Sequence, residues 1–455
     1  MAGEWRRCTI DELCDARVAE LQTGPFGSQL HAHDYVDEGV AIVPTEAIRN
    51  RRIDHSVLPK ISPTKAQQLV RHRLQPGDIL FARRGVQATG HVGCIREAED
   101  GFICGTGAIR LRVNEQGNAI STDFISHVLA DPASVGWFKF HAIGATMPNL
   151  NEGIIRSFPF ALPPLDEQRA IAHILGTLDE KIELNRRMNE TLEAMARALF
   201  KSWFVDFDPV RAKAEGRNPG LPKPLAHRFP DSFEDSDLGK IPKGWEVGTL
   251  GDLVAQRVER CVASPETTAR PYVPIDCISS KSLFLKESKS GEEAQSSLAK
   301  FYKGDLLFGA MRPYFHKVCI APFDGTTRTT AFVLFARRSE DFAFATLLLH
   351  HPDTIDYATR HSTGSTIPYA VWSNSLEDMP VMVPPSAVRE AFDGIVRPAL
   401  DRIPQPYFEN RTLAALRDTL LPKLIYGQVR VRHLSPGLPP GAESAMAARS
   451  VPATP

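Results

Sequence analysis

Between residues 49 and 84 the cations Arg49, Arg51, Arg52, Lys60, Lys65, Arg71, Arg73, Arg83 and Arg84 stand against Asp54 and Asp78, nine to two. Between 300 and 338 the cations Lys300, Lys303, Arg312, Lys317, Arg328, Arg337 and Arg338 stand against Asp305 and Asp324, seven to two. Tyr302, Tyr314 and Phe315 are interleaved there. Guanidinium and ammonium groups at this density suit nucleic-acid phosphates, and the arginine fork fits guanine O6 and N7. Arg83 and Arg84 follow the strand-like run of "GDILFARRG", as Arg312 follows that of "GDLLFGAMRPY". Arg49, Arg51, Arg52, Arg83, Arg84, Arg312, Tyr314, Lys317 and Arg328 are therefore the candidate nucleic-acid contacts. One basic run is as readily a solvated surface. Two at matching places favour nucleic acid.

Catalytic chemistry is harder to find. No G-x-x-x-x-G-K-[ST] string offers an ordinary ATP site, and no G-x-G-x-x-G follows a strand. The Asn-Pro-Pro-aromatic tetrapeptide of amino-methyltransferases is missing. His31 and His33 beside Asp34 make a weak metal signal. Asp206 and Asp208 in "FVDFDP" read more readily as a solvated helix end than as paired carboxylates. The seven cysteines are an odd number without a CxxC pair, which predicts reduced thiols and no zinc site. The net charge of −1 names no partner. The start "MAGEWRRCTI" has no apolar signal core, and "FAFATLLL" (342–349) is too short to span a bilayer. A cytoplasmic protein with no membrane partner is expected.

The basic runs sit on a frame that repeats. "GATMP" (144–148) returns as "GSTIP" (364–368), "ALPP" (161–164) as "MVPP" (382–385), and "NETLEAMARALF" (189–200) as "NRTLAALRDTLL" (410–421). "WRRCTIDEL" (5–13) returns as "WEVGTLGDL" (245–253). A unit of this size is a duplicated domain rather than a solenoid repeat. Each copy opens with short β-like runs between Gly and Pro turns: 40–44, 78–82, 91–95 and 108–113, then 271–275, 305–309, 317–321 and 331–336. After each Pro-Pro a helical pattern begins. Residues 165–204 read as one amphipathic helix, about 60 Å long at 1.5 Å per residue, with Asp166 near its start. Its narrow apolar seam holds Leu178, Ile182, Leu192 and Leu199, and the second copy places Leu413 and Leu420 for antiparallel packing against it. Pro398, Pro404 and Pro406 interrupt the second helical region, with regular helix resuming near Tyr407.

Several strings together resemble the DNA-specificity subunit of type I restriction-modification systems: "TGPFGSQL" (23–30), "GDILFARRG" (77–85), "LPPLDEQRAIAHIL" (162–175), "LGKIPKGW" (238–245), "FGAMRPYFHK" (308–317) and "LRDTLLPKLIYGQV" (416–429). The resemblance runs from about residue 5 to residue 432. It implies an α+β fold with two tandem target-recognition domains, β-rich with helices, joined by two long antiparallel coiled-coil helices. The expected division is 1–161 and 244–383 for the recognition domains, 162–205 and 384–430 for the helical spacers, 206–243 for a linker and 431–455 for a disordered tail. It further implies a non-catalytic host-defence subunit that reads a bipartite site on double-stranded DNA. Two methyltransferase and two restriction subunits would dock on it, the helical seam being the docking element. S-adenosylmethionine, ATP and Mg would belong to those partners, with no cofactor in this chain. The alternative is a coiled-coil scaffold that binds protein without DNA specificity.

Overall fold

A computed structural model describes residues 5–431, apart from 28, 116–119, 145, 286 and 295–296. The expected tail thus lies, from residue 432 on, outside the described residues. The chain divides into two compact units, Met1–Glu180 with Ala414–Pro455, and Lys181–Leu413. These boundaries fall inside the helical spacers rather than at the Pro-Pro pairs. Each sheet domain covers its apolar floor with helix segments from distant parts of the chain.

In the first unit, β1 (Ala19–Thr23), β2 (Ile79–Ala82), β3 (Val92–Cys94) and β4 (Ala108–Val113) form an antiparallel sheet in the order β1-β4-β2-β3. Every residue of β2 is buried, which is why it reads as an unbroken apolar run. Helix α1 (Pro132–His141) starts at an Asp131 cap with proline in its first turn. It lays Phe138 edge-on against Phe81, ring centres 5.3 Å apart. Arg6–Thr9 pairs with Pro159–Leu162, fastening the start of the domain to its end. Ile171 and Leu175, from the first turns of α2 (Leu165–Phe204), extend this core together with Leu424 and Ile425. Asp166 lies in the first turn of α2.

The second unit repeats the plan. Strands β5 (Val254–Gln256), β6 (Leu306–Gly309), β7 (Val318–Ile320) and β8 (Ala331–Ala336) pair in the order β5-β8-β6-β7. Residues 271–275, expected as a strand, supply only isolated bridges from Tyr272 to Lys289 and Thr326 before a short 3-10 turn. Helix α3 (Pro352–Arg360) takes the place that α1 has in the first unit. It is followed by α4 (Ser386–Arg402) and α5 (Pro406–Ile425). The helical region does break at Pro404, with Pro406 opening α5. Pro398, by contrast, lies inside α4 without ending it.

The residues expected as a linker, 206–243, are built into this unit. They carry two short helices and a hairpin. Their Val210, Phe229 and Ile241 join Trp203, Trp245, Phe344 and Phe392 in one core. Trp203 meets Phe229 at 5.0 Å and Phe204 meets Phe392 at 4.9 Å, both edge-on. Prolines spaced through the segment mark turns between packed pieces.

The repeated Gly-Asp pair has a structural purpose. Gly77 and Gly304 take φ of 90° and 89°, a region open to glycine. The next residue, Asp78 or Asp305, is buried and accepts a backbone N–H from Gln75 or Tyr302, each at 2.8 Å. Each then takes a two-pronged arginine: Arg112 on Asp78, both bonds 2.7 Å, and Arg257 on Asp305, at 2.9 and 3.0 Å. One of the two anions in each basic segment, Asp78 or Asp305, is therefore paired away from the surface.

The helical regions pair antiparallel, but not through a leucine seam. In the second unit Asn185 donates to Glu409 and Asn410, both at 2.9 Å, and Asn189 donates to the carbonyl of Ile403 at 2.9 Å. In the first, Asp179 accepts from Arg417 at 2.9 Å and Glu167 from Arg430 at 2.8 Å. On α2, Glu183, Asn185, Asn189 and Glu193 are buried. Leu178, Ile182, Leu192, Leu199, Leu413 and Leu420 are each only half-buried. The register from Asn185 to Asn410 and from Asn189 to Ile403 sets Leu192 level with residues near 400, not with Leu413. Leu192 and Leu199 pack instead on the second-unit core, and Leu420 on the first. Sequence periodicity located the helices but misassigned the contact, because the central positions are amides and carboxylates. Such buried polar pairs fix register at a cost in stability.

Two buried histidines give the fold a pH dependence. His350 is held down to about 3, first by burial and then by His316 and Arg197, and its Nε2 has no partner among the described residues. His127 is also pushed well below its ordinary value, by burial and then by Arg51 and Arg417. A folded-state value below the unfolded one means the unfolded chain binds more protons in between. Stability is then complete above about pH 6.5 and is lost as pH falls toward 3. For His350 alone the loss is about 2 kcal/mol at pH 5. Urea midpoints measured from pH 7.5 to 5 check this: His350→Gln is expected to flatten the decline, and an equally steep decline in that variant would refute the assignment.

Candidate nucleic-acid interface

In each unit a central strand ends in a loop that carries candidate contacts. In the first unit β2 ends at Ala82. The Arg83 backbone then bonds Gly107 and Leu150, each at 2.8 Å, and Arg84 bridges Asn149. Arg83 is half-buried, with Nε on the Asn149 side-chain oxygen at 3.0 Å. Arg84 is exposed and only grazes the Thr106 hydroxyl at 3.4 Å. The loop that follows exposes Val86 and is tied down by Thr89, whose hydroxyl donates to the carbonyls of Gly85 and Pro148. His91 leads into β3, with Lys139 Nζ 3.5 Å away. Burial, then Lys139 and Arg49, push the His91 value down.

The second unit reaches the same place with different side chains. Ala310 bonds Thr330 and Ala370 as Arg83 bonds Gly107 and Leu150, and Met311 bridges Tyr369 as Arg84 bridges Asn149. Arg312 therefore corresponds to Gly85, not to Arg83 or Arg84 as the sequence pairing suggested. Both positions have positive φ, 115° at Gly85 and 51° at Arg312. A left-handed arginine is uncommon and is held here by its N–H on the Pro368 carbonyl at 2.8 Å. The turn Pro313–Phe315 then presents Tyr314 and Phe315, 49% and 46% exposed, with ring centres 4.8 Å apart. Lys317 is half-buried with Nζ on the Ile275 carbonyl at 2.8 Å. Arg328 is exposed at the end of the strand Gly325–Arg328.

Not all candidates face this end. Arg51 is left-handed, φ 58°, and its side chain is only 12% exposed. It donates to Ser126 at 3.1 Å and to Asp179 at 2.6 Å, and Arg52 reaches the Asp179 carbonyl at 3.3 Å. These two arginines fasten a hairpin to α2 and are occupied in doing so. Arg49, across the same hairpin, stays exposed with one bond to the Glu46 carbonyl. Sequence reasoning counted three equivalent charges where the structure separates one surface cation from two structural ones. It also passed over Lys139, Arg360 and two histidines, His141 and His361. Their signal was their place just before each Gly-x-Thr-x-Pro string.

The pair His31 and His33 stack at 5.3 Å, while Asp34 accepts the His31 N–H and pairs with Lys65. Asp206 pairs with Lys201. Among the described residues no group of three or more His, Cys, Asp or Glu is placed to hold a metal, and no helix is long and apolar enough to cross a membrane. Cys8 and Cys277 are pushed up to about 11 and Cys104 to about 12, each chiefly by burial.

Residues 42–194 match a family described as the type I restriction modification DNA specificity domain. The type I restriction enzyme MjaIX specificity subunit of Methanocaldococcus jannaschii is 28% identical over 335 residues, covering 70% of this chain and 71% of its own. The HindI specificity subunit of Haemophilus influenzae is 23% identical over 444 residues, covering 86% and 94%. The crystal structure of a type I restriction-modification S subunit from M. genitalium superposes with a TM-score of 0.57 at 16% identity, over 93% of this chain and 96% of that one. At that identity the likeness concerns the fold.

Proposed function

We infer that this chain is the DNA-specificity subunit of a type I restriction-modification system, and that each of its two units reads one half of a bipartite site on double-stranded DNA. The observation that carries the reading is the duplicated sheet end. Two copies of one β-order lead into matching strand-end loops, which expose Arg84 in one unit and Tyr314 and Phe315 in the other. Common architecture with divergent contacts is what reading two different base sequences on one kind of duplex requires. The catalytic work falls to partners: methyltransferase and restriction subunits that the specificity subunit directs to its site. The half-buried and exposed apolar residues of the helical regions, among them Leu178, Ile182, Leu184 and Leu416, are the proposed docking surface.

The test is co-production with a type I methyltransferase subunit from the same source in a host lacking adenine methylation, followed by sequencing of methylated adenines. One split motif, absent when this chain is omitted, is the expected outcome. The pure chain incubated with labelled S-adenosylmethionine and the same DNA is expected to transfer no methyl group. Methylation at the same motif without this chain, or methyl transfer by the chain alone, would overturn the reading.

A further inference from the structure

The Gly-x-Thr-x-Pro strings carry a feature that is the same in both units while the neighbouring contacts differ. In the first, Trp137 and His141 lie four residues apart at the end of α1, their rings stacked at 3.9 Å and 26°. His141 Nδ1 is 2.9 Å from the Trp137 carbonyl. In the second, Tyr357 and His361 stack at 3.9 Å and 24°, and His361 Nδ1 is 2.9 Å from the Tyr357 carbonyl. Both histidines are exposed. A loop follows each, closed by two reciprocal backbone bonds: Ile143 with Asn149, both 2.9 Å, and Thr363 with Tyr369, both 2.8 Å. Gly144 and Gly364 take φ of 103° and 90°, and a Cβ there would meet the Met147 or Ile367 carbonyl at 2.9 or 2.8 Å. Only glycine lets the loop close so tightly. Thr146 and Thr366 remain exposed on it.

Within one chain, what recurs can be set against what does not. Arg83, Arg84 and Gly85 are answered by Ala310, Met311 and Arg312. The stacked histidine, the glycine, the threonine, the proline and the closing bonds recur unchanged. Two half-sites differ in bases and share a sugar-phosphate backbone, so an invariant element suits the backbone and a variable one suits the bases. The chemistry agrees. A carbonyl only accepts, so the proton of a neutral His141 or His361 sits on Nδ1, and Nε2 has no hydrogen-bond partner among the described residues. A protonated ring offers Nε2–H as a charged donor, fixed in direction by the stack. Lys139, two residues before His141, and Arg360, directly before His361, add exposed cations. The threonine hydroxyl adds a neutral donor.

We propose that in each unit the ring-stacked histidine and the Gly-x-Thr-x-Pro loop behind it form a sequence-independent contact to a DNA phosphate, leaving base reading to the loops that differ. The proposal rests on the DNA-specificity reading above. Its test uses the full chain assembled with its methyltransferase subunits and two duplexes of equal length, one containing the methylated motif and one unrelated. Affinities are taken by fluorescence anisotropy across a salt series. His141→Ala and His361→Ala are each expected to weaken both duplexes by the same factor, about 10-fold. The slope of log affinity against log salt should fall by about 1 per contact removed. Thr146→Val with Thr366→Val, which leaves the ring stacks alone, is expected to weaken both duplexes equally by a smaller factor. Unchanged affinity and slope in the histidine variants, with wild-type binding intact, would overturn the phosphate contact. Loss confined to the methylated-motif duplex would overturn it too, by making the histidines base readers. A wild-type complex that binds neither duplex would instead remove the premise.

Discussion

With Arg84 replaced by alanine, the assembled complex is expected to lose about 1–3 kcal/mol of binding, and the loss is expected at one half of its site only. Arg84 is the exposed arginine at the end of β2, and among the described residues its side chain makes only a 3.4 Å contact to Thr106. Its fork is therefore available to a base edge. Tyr314→Ala combined with Arg312→Gly is expected to do the same at the other half, because these residues leave the corresponding strand end of the second unit. Glycine is chosen at 312 because φ is 51° there, where alanine would be strained. The measurement is competition binding with duplexes altered in one half at a time. Relaxed discrimination should appear at one half for Arg84→Ala and at the other for the second variant. Equal relaxation at both halves in either variant would defeat the assignment of one reading loop per unit. Arg83→Ala should behave differently, since its Nε holds Asn149 at the foot of the Gly-x-Thr-x-Pro loop. Its effect is expected on both duplexes alike.

Periodicity made the long elements legible. Residues 165–204 form one helix over the span expected. The break at Pro404 follows from a ring that cannot continue the hydrogen-bond ladder. Buried strands such as Ile79–Ala82 and Leu306–Gly309 announced themselves as apolar runs between turns. What stayed hidden depends on partners distant in the chain. Nothing near Arg51 says that its charge is met by Asp179, 128 residues on. Nothing in the heptad pattern of α2 says that Asn185 and Asn189 are buried while Leu184 is 61% exposed. Pattern reasoning assigns leucine to the inside and amides to water, and here pairing in three dimensions reverses both. The proline-rich stretch 206–243 was misread for a related reason. Proline density signals turns, and whether turns separate packed pieces or loose chain is decided by residues such as Phe229 and Trp203 meeting in a core.

The same polar pairs lead to the largest effect expected of any change to the chain. Two residues inserted into α2 between Lys181 and Met188 rotate everything beyond them by about 200° at 3.6 residues per turn. Asn189 and Glu193, now buried, would turn to the opposite face, leaving buried polar groups without partners on one side and apolar groups in water on the other. Each orphaned polar group costs about 1–3 kcal/mol, so the variant is expected to give no methylation in cells that supply the partner subunits. Four residues inserted at the same place, with a matched four near Asn410, rotate the helix by about 400°, within 40° of its register. The faces are then nearly kept, and the helix is longer by about 6 Å. If the helical regions set the unread gap between the half-sites, that gain corresponds to one or two base pairs at about 3.4 Å each. Both half-site sequences should be unchanged, because neither sheet end is touched. The check is methylated-adenine sequencing of cells carrying each variant. A four-residue variant that methylates its old motif with the old gap would show that the helices do not measure the site. A two-residue variant that stays active would show that Asn185, Asn189 and Glu193 do not fix their pairing.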